Sequence, residues 1–85
     1  MSIALTDLEA INLVKEAIKL FGTQSMLAKR ANVSQPCLSV TLRRGTLTRR
    51  VARALAKAVR RRSATMANAF NVYAESALAA HRRAL

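Results

Sequence analysis

The sequence has few cysteines, prolines, glycines and aromatic residues, and each shortage excludes a class of protein. Cys37 is the only cysteine, so the chain can form no internal disulfide and has no zinc-finger spacing. With only two glycines and one proline, helices are favoured over turn-rich folds. Two phenylalanines and one tyrosine are the only aromatic residues, so the core must be built mainly from aliphatic side chains.

Long apolar stretches are also missing. No apolar run approaches the roughly 20 residues that are needed to span a bilayer. Residues 1–20 contain acids and alternate polar with apolar side chains, which is unlike a signal peptide. We therefore expect a protein of the cytoplasm that has no membrane partner.

Acidic residues are few and unevenly placed. Fifteen Lys and Arg oppose four Asp and Glu, which gives a net charge of +11. Asp7, Glu9 and Glu16 lie in the first segment, whereas the nine basic residues between Arg43 and Arg62 have no acid among them. Such a one-sided charge favours a polyanionic partner, which could be a nucleic acid, an anionic membrane surface or an acidic protein. Nucleic acid is the leading candidate.

The scarcity of acids also argues against catalysis. The sequence contains no Ser/His/Asp set, no paired carboxylates and no cluster of metal ligands, and three of its four acids lie in one opening helix. We expect no enzymatic activity, no metal, no cofactor and no small-molecule ligand.

Hydroxyl side chains at helix-start positions divide the chain into five helices. Thr6, with Glu9 three residues later, forms a capping box before a helix over 7–21. The caps and stop signals that follow predict helices over about 24–31, 34–44, 49–62 and 64–83, with caps at Thr23, Ser34, Thr48 and Ser63. The predicted fold class is all-α, a compact bundle of about five helices.

Helical periodicity predicts which faces of these helices are buried. The apolar stripe of the first helix comprises Leu8, Ile11, Val14, Ile18 and Phe21. Projected at about 100° per residue, the third helix has a buried arc of Cys37, Leu38, Thr41 and Leu42. Its exposed arc comprises Gln35, Pro36, Ser39, Val40 and Arg43. In the fourth helix Arg62 projects toward the apolar side, so we expect that helix to bend or stop near it.

Residues 24–43 resemble the helix-turn-helix of the phage-repressor/Cro family, which belongs to the lambda-repressor-like class. The matching positions are Gln24, Ala28, the turn Asn32-Val33, the pair Ser34-Gln35 and the buried anchors Leu38 and Leu42. With the flanking helices the likeness extends over about 6–62. The sequence departs from the family at Asn32, where glycine is commoner, and at Thr41, where a small apolar residue is usual.

The resemblance implies a DNA-binding domain over residues 1–62 that contains this motif. The protein would be a sequence-specific transcriptional regulator of phage or bacterial type, in the bacterial cytoplasm or nucleoid, acting as a repressor on double-stranded DNA. By position, the residues at base edges in the major groove would be Ser34, Gln35, Pro36, Ser39, Val40 and Arg43. The residues at phosphates would be Thr23, Gln24, Arg44, Arg49, Arg50 and Arg53.

The C-terminal segment 63–85 carries an apolar stripe that has two interpretations. The stripe could fold back on the core of the first four helices, or it could pair with its copy in a second subunit. Repressors of the phage-repressor/Cro family commonly bind operators with two-fold symmetry. We therefore expect a homodimer, with an interface formed by Met66, Phe70, Tyr73 and Ala77.

Other functions remain open at this point. A structural nucleoid protein or an RNA-binding protein would use only the basic charge. An antitoxin or adaptor would bind a protein partner through 64–85. Sequence-specific DNA binding differs from both in requiring the exposed arc of the third helix.

Overall fold

The computed structural model describes the backbone of residues 6–84 and the side chains of residues 6–75. Five helices follow one another: α1 (Asp7–Phe21), α2 (Gln24–Ala31), α3 (Gln35–Arg44), α4 (Arg49–Val59) and α5 (Ala64–Ala84). Within these bounds there is no strand, so the predicted all-α fold is confirmed. The radius of gyration is 12.1 Å, close to the roughly 12 Å expected of a folded chain of this length.

Each helix begins at a hydroxyl side chain, as predicted. In each case the hydroxyl oxygen accepts the backbone N–H of the residue three positions later, at 3.1–3.2 Å. The capping residues of α1 to α5 are Thr6, Thr23, Ser34, Thr48 and Ser63. Glu9 completes the capping box by accepting the Thr6 backbone N–H at 3.1 Å. This backbone hydrogen bond, together with one from the Thr6 hydroxyl, lowers the pKa of the Glu9 carboxyl. Each cap contributes about 1 kcal/mol to helix stability.

The core lies between α1, α2, α4 and α5, with α3 anchored at one side. Its largest fully buried side chains are Phe70, Leu27, Leu38, Leu55, Val14 and Val59. Leu8, predicted in the buried stripe of α1, is instead 71% exposed. The buried face of α1 is centred near Val14, and at about 100° per residue Leu8 projects about 120° away from it.

Helix α4 ends close to Arg62, near which the sequence predicted a bend or stop. The helix ends at Val59, three residues earlier than expected, and residues 60–62 form a turn. The Arg62 guanidinium lies 4.7 Å from the centroid of the Phe21 ring and donates to the carbonyl of Leu20 at 3.5 Å. A cation at the C-terminus of α1 is favourable because the last carbonyls of a helix carry partial negative charge.

Helix α5 folds back on the core of its own chain. Phe70 and Ala74 are fully buried, Tyr73 is 5% exposed, and Met66 is half-buried against the core. The prediction that Phe70 and Tyr73 form a dimer interface is therefore wrong, because both are inaccessible to a second subunit in this fold. The periodicity correctly indicated an apolar face, but another helix of the same chain covers that face. Ala77, predicted in the same interface, lies outside the described side chains.

The Tyr73 hydroxyl joins three parts of the chain. It donates to Asp7 Oδ1 at 2.6 Å, accepts the backbone N–H of Leu47 at 3.4 Å and lies 3.3 Å from Thr46 Oγ1. Burial, and then the hydrogen bond to Asp7, raise the pKa of Tyr73 above its ordinary value of 10.0. The start of α1, the segment after α3 and the middle of α5 are thus fixed to one another.

Replacing Tyr73 by phenylalanine is expected to lower the free energy of unfolding by about 1–3 kcal/mol near neutral pH, because the backbone N–H of the buried Leu47 loses its acceptor and the hydrogen bond to Asp7 is lost. It should also remove part of the alkaline pH dependence. The folded chain holds the Tyr73 proton to higher pH than the unfolded chain, so stability is full below about pH 10 and falls as pH rises through the folded pKa.

Denaturant unfolding between neutral and alkaline pH tests this prediction. Tyr73 is the only tyrosine and there is no tryptophan, so ultraviolet absorbance of tyrosinate reports the same ionisation directly. Lysine deprotonation affects both proteins and cancels in their difference. Parallel stability curves for the wild type and Tyr73→Phe across the alkaline range would contradict the assignment.

Candidate nucleic-acid interface

The turn between α2 and α3 depends on Asn32. Its backbone is left-handed, with φ 57° and ψ 40°. The Asn32 N–H bonds to the carbonyl of Lys29 at 3.2 Å, and the Val33 N–H bonds to that of Ala28 at 3.0 Å. Asparagine is one of the few non-glycine residues that adopt this conformation routinely. Asn32 therefore takes the role of the glycine expected there, and the chain starts α3 after three residues.

Helix α3 is anchored by the side predicted to be buried. Leu38 is fully buried and Thr41 is 6% exposed, while Leu42 is only half-buried against the core. The Thr41 hydroxyl donates to the carbonyl of Cys37 at 3.0 Å. Because this bond satisfies its polar atom, threonine can occupy a position where a small apolar residue is usual.

The opposite side of α3 is open to solvent and is called the α3 face below. It comprises Gln35, Pro36, Ser39, Val40 and Arg43, of which all are exposed except Ser39, which is half-buried. At about 100° per residue, Pro36, Val40 and Arg43 lie within an arc of about 60°. Ser39 and Gln35 extend this arc to about 140°, so an amide, a hydroxyl, a methyl-bearing side chain and a guanidinium lie on one side of the helix, where an external partner can contact them.

Ser34 combines two possible uses. Its hydroxyl oxygen accepts the Cys37 N–H at 3.1 Å, so it caps α3. The side chain is also exposed, and the hydroxyl proton is not used in this bond. Ser34 can therefore keep the helix start in place while donating to a partner beside the α3 face.

Cys37 is exposed, contrary to the prediction that it packs on the buried arc. It lies at the edge of that arc, where a cleft of about 400 Å³ opens between α3 and the segment after it. The cleft is lined from α3 by Pro36, Val40 and Arg44 and from the other side by residues 46–48. An opening beside the helix, which periodicity cannot reveal, leaves the thiol accessible.

The residues predicted to contact phosphates lie on different parts of the surface. Thr23 is exposed and caps α2 by accepting the Met26 N–H at 3.1 Å, whereas Gln24 is half-buried. Arg44 is exposed beside the α3 face, and Arg49 is exposed in the first turn of α4. Arg50 and Arg53 line another concavity, to which α3 contributes no residue.

That concavity is called the basic groove below. It has a volume of about 860 Å³ and lies between the end of α2, the turn, α4 and α5. Its polar lining consists of Arg30, Asn32, Arg50, Arg53, Lys57, Arg60, Asn68 and Asn71. Helix α4 buries Val51, Leu55 and Val59 on its opposite side. Its cations Arg50, Arg53 and Lys57 therefore project into the groove. The cations of α4 are evident in the sequence, but the groove is not, because the asparagines opposite them are uncharged and follow no pattern.

Among the described residues, no group of three His, Cys, Asp or Glu side chains is placed to hold a metal ion. Within the same part of the chain, no helix has the length and apolar character to cross a bilayer.

No family model, curated protein or solved structure matches this chain. The chemistry of the α3 face, the positive charge around it and the helix-turn-helix resemblance of residues 24–43 are the indications of function.

Proposed function

We propose that the protein is a sequence-specific, double-stranded DNA-binding regulator that recognises an operator with the α3 face. The observation that carries this proposal is the division of α3, in which Leu38 and Thr41 are buried while Gln35, Val40 and Arg43 are exposed. Glutamine can bond adenine bidentately, arginine can bond guanine, and valine can contact the thymine methyl group. The exposed side chains thus offer discrimination among base pairs.

The size and charge of the surroundings support the same function. A helix fits the major groove, which is about 12 Å wide, and α3 is held at its start by a three-residue turn. No acid occurs between Glu16 and Glu75, so α2, α3 and α4 carry cations alone. Their positive charge favours approach to the phosphate backbone before any base is contacted.

A single ten-residue helix offers few base contacts, which is why we propose a homodimer on DNA. Each subunit would place one α3 in a half-site, with half-site centres about one helical turn, or roughly 34 Å, apart. The subunit interface would use residues other than Phe70 and Tyr73, which are buried in their own chain. Bound to an operator in the bacterial cytoplasm or nucleoid, the dimer would act as a repressor by blocking polymerase.

Selection of binding sites from random duplex DNA tests this function. A specific regulator enriches one short sequence, and two-fold symmetry in that sequence reports the dimer and its spacing. Affinity for the selected duplex should exceed affinity for its scrambled version at moderate salt. Equal affinities would rule out a sequence-specific regulator and favour the nucleoid or RNA-binding alternative, which needs only the positive charge.

Replacing Arg44 by alanine should weaken binding to the selected and scrambled duplexes by similar factors. Arg44 lies beside the α3 face and is assigned to a phosphate, which carries no sequence information. Its loss should lower the slope of log affinity against log salt by about one unit. Arg61→Ala is the matched control, since Arg61 is exposed and lines neither the cleft nor the basic groove. A changed base preference in Arg44→Ala would contradict the phosphate assignment.

A further inference from the structure

We propose that the basic groove is a second nucleic-acid site, which holds the phosphate backbone of another stretch of double-stranded DNA. The groove takes no residue from α3, all of whose residues the structure describes. A molecule bound to DNA through the α3 face therefore leaves the side chains of the groove without a DNA contact of their own. One protein could then hold two duplex segments together, a property that operator recognition alone does not require.

The arrangement of cations in the groove matches an extended polyanion. Arg50, Arg53, Lys57 and Arg60 recur every three or four residues along one side of α4 and its C-cap. At 1.5 Å per residue, this row is about 15 Å long. One DNA strand presents a phosphate about every 3.4 Å of rise along the helix axis, so a row of this length can meet more than one successive phosphate. A small anion would need only one or two of these side chains.

The other surfaces of the groove suit a sugar–phosphate backbone. Asn68 and Asn71 on α5 and Asn32 in the turn supply amide groups, which can donate to phosphate oxygens. Ala56 and Ala67 line it and are almost fully buried, so their small side chains permit close approach. Among the described residues, no Asp or Glu lines the groove to repel a phosphate.

The groove lacks the features that other occupants require. Single-stranded nucleic acid is bound largely by stacking on aromatic side chains, and no aromatic residue of the described part lines this groove. A second copy of the chain would bring another net charge of +11 against it. Small alanines offer no deep apolar pocket of the kind that anchors a protein partner. Duplex backbone is therefore the favoured occupant.

A two-duplex capture assay with the full-length protein tests this site. One duplex is immobilised and loaded with protein, and retention of a second, labelled duplex of unrelated sequence is measured against salt. The wild type should retain the second duplex. In Arg53→Gln/Lys57→Gln the salt slope of second-duplex binding should fall by about two units, at roughly 0.9 per phosphate contact, and capture should be lost at moderate salt.

Matched variants separate this site from the α3 face. Lys15→Gln/Arg61→Gln removes the same two charges at exposed positions outside the groove, and it should retain capture. Gln35→Ala/Arg43→Ala should lose preference for a selected duplex but still show the salt-dependent binding of the groove. Since any duplex can be immobilised, capture can be measured even if no sequence is selected.

Several outcomes would overturn the second site. Capture that survives Arg53→Gln/Lys57→Gln but disappears in Gln35→Ala/Arg43→Ala would show that two α3 faces of a dimer hold the two duplexes. Stronger competition by single-stranded DNA or RNA than by duplex would identify a single-stranded occupant. Absence of capture by the wild type down to low salt would exclude a second duplex, leaving an acidic protein as the partner to seek.

Discussion

Replacing Gln35 and Arg43 together by alanine is expected to reduce affinity for the selected operator by about 2–6 kcal/mol, since each bidentate base contact discriminates by about 1–3 kcal/mol. The two residues lie eight positions apart on the exposed side of α3, so they should contact different base pairs. Losses at separate base pairs add approximately. Each single variant should therefore show about half of the effect and relax the preference at its own base pair.

Binding to scrambled DNA distinguishes a loss of base contacts from a general loss of affinity. Gln35→Ala changes no charge, so affinity for a scrambled duplex should be unchanged. Arg43→Ala removes one positive charge and should weaken scrambled binding slightly. The stability of both variants should be close to that of the wild type, because both side chains are exposed and Leu38 and Thr41 still anchor α3. Equal losses on operator and scrambled DNA would mean that the α3 face does not contact bases.

Replacing Phe70 by alanine is expected to lower the free energy of unfolding by about 3–5 kcal/mol, the range for deleting a buried aromatic ring. Phe70 is fully buried and the largest of the completely inaccessible side chains. Domains of this size have total stabilities of about 5–15 kcal/mol, so the variant should lose a large fraction of its stability. Denaturant titration followed by circular dichroism measures the change.

The same variant distinguishes a core residue from an interface residue. If Phe70 packs within its own chain, the loss of stability should be the same at low and high protein concentration. Stability of an obligate dimer would depend on concentration, because folding and association are then linked. Met66→Ala is the control on the same helix and should cost less, since Met66 is only half-buried. A Phe70→Ala effect below that of Met66→Ala would contradict the observed packing.

Local features of the fold were predictable from the sequence. The caps at Thr6, Thr23, Ser34, Thr48 and Ser63 each act on an amide three residues later, so short-range patterns identify them. The left-handed turn residue was predictable for the same reason. The division of α3 into two sides followed from periodicity, except at Cys37 on the boundary.

Features that join distant residues were not predictable. Tyr73 contacts Asp7 and Leu47, which lie 66 and 26 residues away along the chain. An apolar stripe on α5 could not indicate whether the same chain or a second subunit covers it. The basic groove needed the relative placement of α4 and α5, because Asn68 and Asn71 have no pattern that associates them with Arg53. Each of these features depends on tertiary packing, which brings together residues that are far apart in the sequence.

The packing of α5 on α4 has a consequence for synthesis at the ribosome. These two helices form the most extensive helix pair, and Phe70 and Ala74 complete a core that includes Leu55 and Val59. Because chains emerge from the N-terminus at about 5–20 residues per second, residues 6–62 leave the ribosome before their covering helix does. For that interval the part of α4 that α5 later covers is accessible to chaperones, and the core is complete only when residues 64–74 have emerged.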